Sequence, residues 1–285
     1  MDLRPLRATA GLPLPPIKER TESYSTDEES YFDEVGYLFE SNQPVRLEQF
    51  QWAHSSVAIC LHVADEEPGN IQSGQYLWPA ANLLAEYIVR NQESLAVESV
   101  VELGCGCGLA SLTSLQVWKE TIQYLVMTDH DPNVLARARD NLETTIQRLI
   151  ENADTDDELN TLINSVASIP VDFESLEWGD VETGDSILRN GLLDHTERGT
   201  AHLVLGSDVV YCVQAVGPLL RSASQLMDPV KGRFWLAQSM PYNTEIEAAL
   251  NNISGVLGLK RRTLLQDGHN RILEFFPAPV LFEEV

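Results

Sequence analysis

The chain has 285 residues, 44% of them hydrophobic, and carries 43 acidic against 19 basic side chains, a formal charge of -24. That length and apolar content suit one large domain with a modest extension. The acidic balance repels nucleic-acid phosphates and anionic membranes, and it favours a protein partner with a basic surface as much as it favours plain solubility. No run approaches the ~20 consecutive apolar residues of a membrane span, and no secretory stretch opens the chain, so the cytosol or nucleus is expected. No coiled-coil heptad or exposed apolar stripe stands out, so a monomer is expected. Cys60, Cys105, Cys107 and Cys212 fit neither a disulfide framework nor zinc pairing, which leaves reduced thiols and no metal.

In chain order, residues 1–36 combine Pro13, Pro15 and Pro16 with the acidic run Thr26-Asp-Glu-Glu-Ser and lack periodicity, the pattern of a disordered arm. Residues 37–70 read as a small β extension, with Val45-x-Leu47-x-x-Phe50 and Val57-Ala-Ile59-Cys-Leu61-His-Val63 as two strands of a hairpin. Residues 71–285 form the main domain. Pro79 opens a helix with Leu83, Leu84, Tyr87 and Ile88 at helical spacing. Strand Ser99 to Leu103, a helix from about Leu109, strand Tyr124 to Thr128 and helix Asn133 to Ile150 then alternate. The acidic stretch 151–168 interrupts this rhythm as a surface loop. Further strands follow at Ile169 to Phe173, His202 to Leu205, Arg233 to Ala237, Leu257 to Leu265 and Arg271 to Phe275. The alternation predicts an α/β fold: a Rossmann-like sheet of seven strands, mostly parallel, with helices on both faces and a ligand crevice beyond the carboxyl ends of the strands.

The segment Val100-Val-Glu102-Leu-Gly104-Cys-Gly106-Cys-Gly108-Leu places three glycines between a buried strand and a helix. Backbone can come close to a ligand there, and the amides at the helix start suit the carboxylate of a cofactor's amino-acid part. The dinucleotide fingerprint Gly-x-Gly-x-x-Gly fails because position 109 is Leu, and no Gly-Lys-Ser or Gly-Lys-Thr follows as a phosphate loop needs. Asp129, at the end of the next strand, can accept hydrogen bonds from both hydroxyls of a ribose. Asp131 is the expected cap of the following helix, with Pro132 in its first position.

Five ordered motifs carry a resemblance: Gly74-Gln-Tyr-Leu-Trp78-Pro-Ala-Ala, Glu102-Leu-Gly-Cys-Gly-Cys-Gly-Leu, Thr128-Asp129, Leu176-Glu-Trp178-Gly-Asp and Leu205-Gly-Ser207-Asp208-Val-Val-Tyr211. From about Gln72 to Phe276 the chain resembles the seven-strand protein-lysine methyltransferases of methyltransferase family 16, the methyltransferase-like 21 group. The resemblance implies a seven-strand methyltransferase sheet with an antiparallel last strand. It also implies an S-adenosyl-L-methionine site lined by Trp78, Gly104, Cys105, Gly106, Asp129, Trp178 and Ser207. Cys105 departs from the small residue common at that loop position, but its contribution is a backbone amide. Trp78 and Trp178 are also suited to plain packing.

Asp208 and Tyr211, the Asp-x-x-Tyr pattern after the fourth strand, are the expected catalytic pair at the point where the family brings methyl donor and acceptor together. A lysine amine must lose its proton before it attacks, and a carboxylate beside a phenol can orient it in a partly desolvated channel. Helix capping is the structural role open to Asp208. The expected function is methylation of a lysine on another protein by direct in-line transfer. Alternatives are a histidine, arginine or small-molecule acceptor, or a non-catalytic cofactor-binding assembly module.

Overall fold

The computed structural model describes residues 45–53, 55–65, 73–153, 155–187, 191–192 and 199–278. The arm expected at 1–36 lies outside the described residues, as do parts of the extension at 37–44 and 66–70.

The first element is the expected hairpin, β1 (Val45–Gln51) antiparallel to β2 (Ala58–Ala64), in register from Val45 opposite Ala64 to Gln51 opposite Ala58. Two strands alone are marginally stable in water. What holds this pair is the far edge of β2, whose backbone groups are taken up by side chains of two helices. Those helices are α2 (Leu109–Val117) and α3 (Pro132–Glu151). Gln116 of α2 accepts from Ala58 N at 3.0 Å and donates to Ala58 O at 2.8 Å. Thr145 of α3 does the same for Cys60, at 3.1 and 2.9 Å. Asn141, one turn earlier, accepts from His62 N at 2.7 Å and donates to His62 O at 3.3 Å. Three side chains thus stand in for a neighbouring strand and satisfy an edge that burial would otherwise leave unpaired.

The main sheet has seven strands in the order β5-β4-β3-β6-β7-β9-β8. They are β3 (Ser99–Leu103), β4 (Tyr124–Asp129), β5 (Val171–Ser175), β6 (Leu203–Ser207), β7 (Arg233–Gln238), β8 (Leu259–Asp267) and β9 (Asn270–Pro277). The first five are parallel, and β9 runs antiparallel between β7 and β8. Strands β3 and β4 are buried along their whole length, and their apolar residues split between two cores. Val100, Leu125, Leu203 and Leu205 face one core with the hairpin, α1 (Pro79–Arg90), α2 and α3. Val101, Leu103, Val126 and Val204 face the other, with α5 (Val181–Ile187), α6 (Val213–Leu226) and α7 (Thr244–Val256).

The structure corrects one expectation. In place of a surface loop, the acidic stretch contains a helix, α4 (Asp156–Ser165). Leu159 N donates to Thr155 O at 3.0 Å, and Asp156 and Asp157 occupy the first turn, where negative charge complements the helix dipole. Charge composition suggested solvation, but it does not by itself oppose helix formation.

Replacing Asn141 tests the docking of the hairpin. Asn141 is fully buried, and it also donates to Cys107 O at 2.9 Å, so it ties the hairpin to the glycine segment. Asn141→Ala should lower the unfolding free energy by about 2–3 kcal/mol, since it orphans buried backbone groups. A urea titration showing less than ~0.5 kcal/mol would contradict the account.

Candidate active site

The site is built at the carboxyl end of β3, where sheet order reverses: β4 and β5 lie to one side of β3, β6 and β7 to the other. Between Leu103 and Leu109 the chain leaves the sheet and enters α2 with Gly104, Gly106 and Gly108 at φ 68°, 53° and 84°. Those left-handed angles are costly for residues with a Cβ. Space is tight as well. A Cβ on Gly104 would lie 2.9 Å from Val209 Cγ1 and 3.2 Å from Trp178 Cζ2, and one on Gly106 would lie 3.1 Å from Gly74 O. Cys105 N donates to Thr128 O at 2.8 Å, which fastens the loop to the end of β4. The result is a backbone cradle bordered by the Trp178 ring and by the segment that leads to Trp78.

The Cys105 and Cys107 side chains point into the protein. Cys107 Sγ donates to Gln75 O at 3.3 Å, and burial pushes both thiols well above their usual range, so they stay protonated and unreactive.

Asp129 ends β4 and is buried. Its Oδ2 accepts from Gly106 N at 3.3 Å and its Oδ1 from Asp131 N at 3.2 Å. Burial raises its pKa, opposed by those two backbone hydrogen bonds. A carboxylate has about four acceptor positions; Gly106 N and Asp131 N take two and His130 Nδ1 lies 3.2 Å from Oδ1, which leaves room on Oδ2 for a ribose hydroxyl. Asp131 caps α3 as expected, accepting from Asn133 N at 2.8 Å. Below the loop, Glu102 Oε2 accepts from Ser111 N at 3.1 Å and Ser111 Oγ at 2.5 Å. Glu102 is fully buried, and desolvation pushes its pKa up to about 7 from 4.5.

On the other side of the crevice, Ser207 ends β6 opposite Ala237 of β7. Asp208 follows with φ 51°, the one positive φ on a non-glycine residue among the described residues. Its Oδ2 accepts from Ala80 N at 3.0 Å and Ser239 Oγ at 2.7 Å, and its Oδ1 from Ser239 N at 2.8 Å. The bond from Ala80 caps α1, whose N-cap residue, Trp78, makes no side-chain cap. Asp208 therefore performs a capping role across space while standing at the crevice. Tyr211 is 78% exposed at the rim, and Trp78, 38% exposed, packs edge-on against Tyr76.

The segment after β7 was not legible in the sequence. Besides Ser239 it contributes Tyr242, whose hydroxyl is buried without a hydrogen-bond partner among the described residues. Burial first, and the nearby Asp208 charge second, raise the pKa of that phenol. Arg271 stacks 5.5 Å from the Tyr242 ring centre and donates to Gln238 Oε1 at 2.8 Å, which braces the segment from β9. No motif marks these residues, because their roles come from contacts across long sequence separations.

A family profile described as lysine methyltransferase matches residues 60–245, well over half of the chain. The chain belongs to this lysine methyltransferase family. Curated relatives include the histone-arginine methyltransferase METTL23 of Xenopus laevis, 24% identical over 61% of this chain and 61% of that protein. The protein N-terminal and lysine N-methyltransferase efm7 of Schizosaccharomyces pombe is 32% identical over 43% of this chain and 45% of that protein. The chain thus spans less than two thirds of the length of either relative. Among solved structures, the T. thermophilus 16S rRNA N2 G1207 methyltransferase (RsmC), in complex with AdoMet and guanosine, has a TM-score of 0.52 at 17% identity. That similarity covers 82% of this chain and 50% of that one, and it shows the fold.

The lysine methyltransferase family depends on S-adenosyl-L-methionine. The residues present fit that group. Gly104 and Gly106 leave a backbone cradle that a Cβ would fill, Asp129 offers an acceptor suited to a ribose hydroxyl, and Trp178 supplies a flat ring at the edge of the cradle.

Glu102 makes the site sensitive to pH. Its folded-state pKa, about 7, is raised above the ordinary 4.5, so the folded form binds the proton more tightly. Through this one group the folded state loses up to ~3 kcal/mol as pH rises from about 4.5 through 7, and nothing below that window, where Glu102 is protonated both folded and unfolded. Glu102→Gln keeps an acceptor for Ser111 and should flatten this window. The check is the difference between wild-type and variant unfolding free energies across pH 4.5–7.5; a difference that does not change with pH would refute the assignment.

Proposed function

We propose that this chain transfers a methyl group from S-adenosyl-L-methionine to a lysine side chain of another protein. The observation that carries this reading is the placement of two differently held carboxylates across one crevice. Asp129 is bound to the glycine loop through Gly106 N, and Asp208 stands at the start of the Asp208-Val-Val-Tyr211 segment. Cofactor contact falls to Trp78, Gly104, Cys105, Gly106, Asp129, Trp178 and Ser207. Acceptor contact falls to Asp208 and Tyr211.

When bound, S-adenosyl-L-methionine supplies an electrophilic methyl on a sulfonium centre, which leaves as a neutral thioether. The chain's part is binding, alignment and field. The cradle at Gly104 and Gly106 and the carboxylate of Asp129 hold the donor in one orientation. Asp208 puts negative charge beside the approaching side chain and draws it in as the ammonium, which gives its proton to solvent at the rim before the neutral amine attacks the methyl. Tyr211, exposed at the rim, can cover the aliphatic stem of a lysine and lower the water content around its amine.

The family description and the lysine activity named for efm7 support lysine as acceptor. The formal charge of -24 supports a basic protein surface as target. The reading places the chain in the cytosol or nucleus and has it act as a monomer. An arginine acceptor is the second reading, favoured by the named activity of METTL23.

Tritiated methyl transfer from S-adenosyl-L-methionine into the proteins of a cell extract, followed by amino-acid analysis of the label, tests the reading. Methyl-lysine is the expected product, and label in methyl-arginine alone would replace lysine by arginine. Asp129→Ala should weaken binding of S-adenosylhomocysteine by at least about tenfold, the scale of a lost hydrogen bond to a charged group. Asp208→Ala should leave that binding within about twofold while transfer falls by about 100-fold. Undiminished transfer in both variants would remove the assignment.

A further inference from the structure

We infer that Ser239 is a positioning residue of the methyl-transfer site, acting through the Asp208 carboxylate. This rests on the transfer reading above. Three observations on separate elements carry it.

The first is that Asp208 is engaged by protein on both oxygens. Ser239 supplies two of its three donors, the backbone N at 2.8 Å on Oδ1 and the hydroxyl at 2.7 Å on Oδ2, and Ala80 N supplies the third at 3.0 Å. A carboxylate held this way is a fixed charge with a set orientation, since turning it breaks several charge-assisted hydrogen bonds at once. The second is the backbone. Asp208 sits at φ 51°, a conformation that costs free energy for any residue with a Cβ and persists only where the surroundings hold it. Asp208 N donates to Ala237 O at 3.0 Å, and the side chain clamps the next residues of the same strand end through Ser239.

The third is what the clamp joins. Ala80 follows Trp78 by two residues, Asp208 precedes Tyr211 by three, and Ser239 adjoins Met240. Trp78, Tyr211 and Met240 are 38%, 78% and 71% exposed, so three of the large exposed apolar side chains of the described residues flank the segments that meet at Asp208. The Ser239 segment is itself held by Gln238, whose Nε2 donates to Met240 O at 2.7 Å. The hydrogen bonds between Asp208 and Ser239 thus set both the direction of the acceptor-side carboxylate and the spacing of the apolar rim around it. Removing the Ser239 hydroxyl leaves the bonds from Ala80 N and Ser239 N to Asp208 in place, and with them the Trp78 segment, so it should act on transfer and spare cofactor binding.

The experiment compares the full-length wild type, Ser239→Ala and Ser239→Thr. The initial rate of tritiated methyl incorporation into extract proteins is measured at saturating S-adenosyl-L-methionine, with S-adenosylhomocysteine affinity by calorimetry and the thermal midpoint on the same samples. Loss of one hydroxyl donor to a carboxylate should slow Ser239→Ala by about tenfold. Affinity should stay within about twofold, and Ser239→Thr, which keeps the hydroxyl, should recover most of the rate. A wild-type rate in the alanine variant overturns the inference, as does a threonine variant as slow as alanine. Loss of affinity or thermal midpoint in step with the rate marks a purely structural residue and overturns it too. A wild type that binds S-adenosylhomocysteine yet labels nothing overturns the transfer reading, and this inference with it.

Discussion

The left-handed backbone at Gly104, Gly106 and Gly108 is the constraint on which the other features of the site depend. With three positive φ angles within five residues, the chain leaves β3 and begins α2 without placing a side chain into the crevice. That geometry brings Gly106 N to Asp129, Cys105 N to the end of β4, and the face of Gly104 to Trp178 and Val209. Each contact fails if the loop relaxes, because close approach and backbone sign are required together.

The loop is held by buried, hydrogen-bonded surroundings. Beneath it, Glu102 binds Ser111 in the first turn of α2. Beside it, Asn141 bridges Cys107 O to the hairpin strand β2. The hairpin is therefore part of the support of the site, held by Gln116, Thr145 and Asn141 in place of a neighbouring strand. Across the crevice Asp208 plays the corresponding role, linking α1 to the segment after β7. The two halves of the site use the same device: a buried or half-buried polar side chain that satisfies backbone donors from a different element.

Much of this was legible in the sequence because parallel strands buried on both faces are short and rich in apolar residues, with few polar positions. Ser99 to Leu103 and Tyr124 to Thr128 read as strands for that reason, and the glycine spacing together with the carboxylate at 129 marked the crevice. The end of β6 was less clear, since Gly206 and Ser207 carry no apolar signal yet pair with Leu236 and Ala237. The helix α4 was hidden by its acidic composition, although Leu159, Leu162, Ile163 and Val166 recur at helical spacing. Ser239 and Tyr242 were invisible because nothing local distinguishes them. Their significance comes from Asp208, some thirty residues away in the chain, and from Arg271 on a strand that runs the other way.

The family assignment, the cradle and Asp129 converge on one ligand class, and the broken dinucleotide fingerprint at Leu109 argues against its nearest competitor. The central claim is that this crevice accepts an adenosyl amino-acid cofactor through backbone and a single buried carboxylate. Calorimetric titration of the purified chain with S-adenosyl-L-methionine, repeated in the presence of excess NAD, tests it most directly. The account predicts one-site binding in the micromolar range, about -8 kcal/mol, unaffected by NAD. Absence of heat with S-adenosyl-L-methionine, or its displacement by NAD, would contradict it.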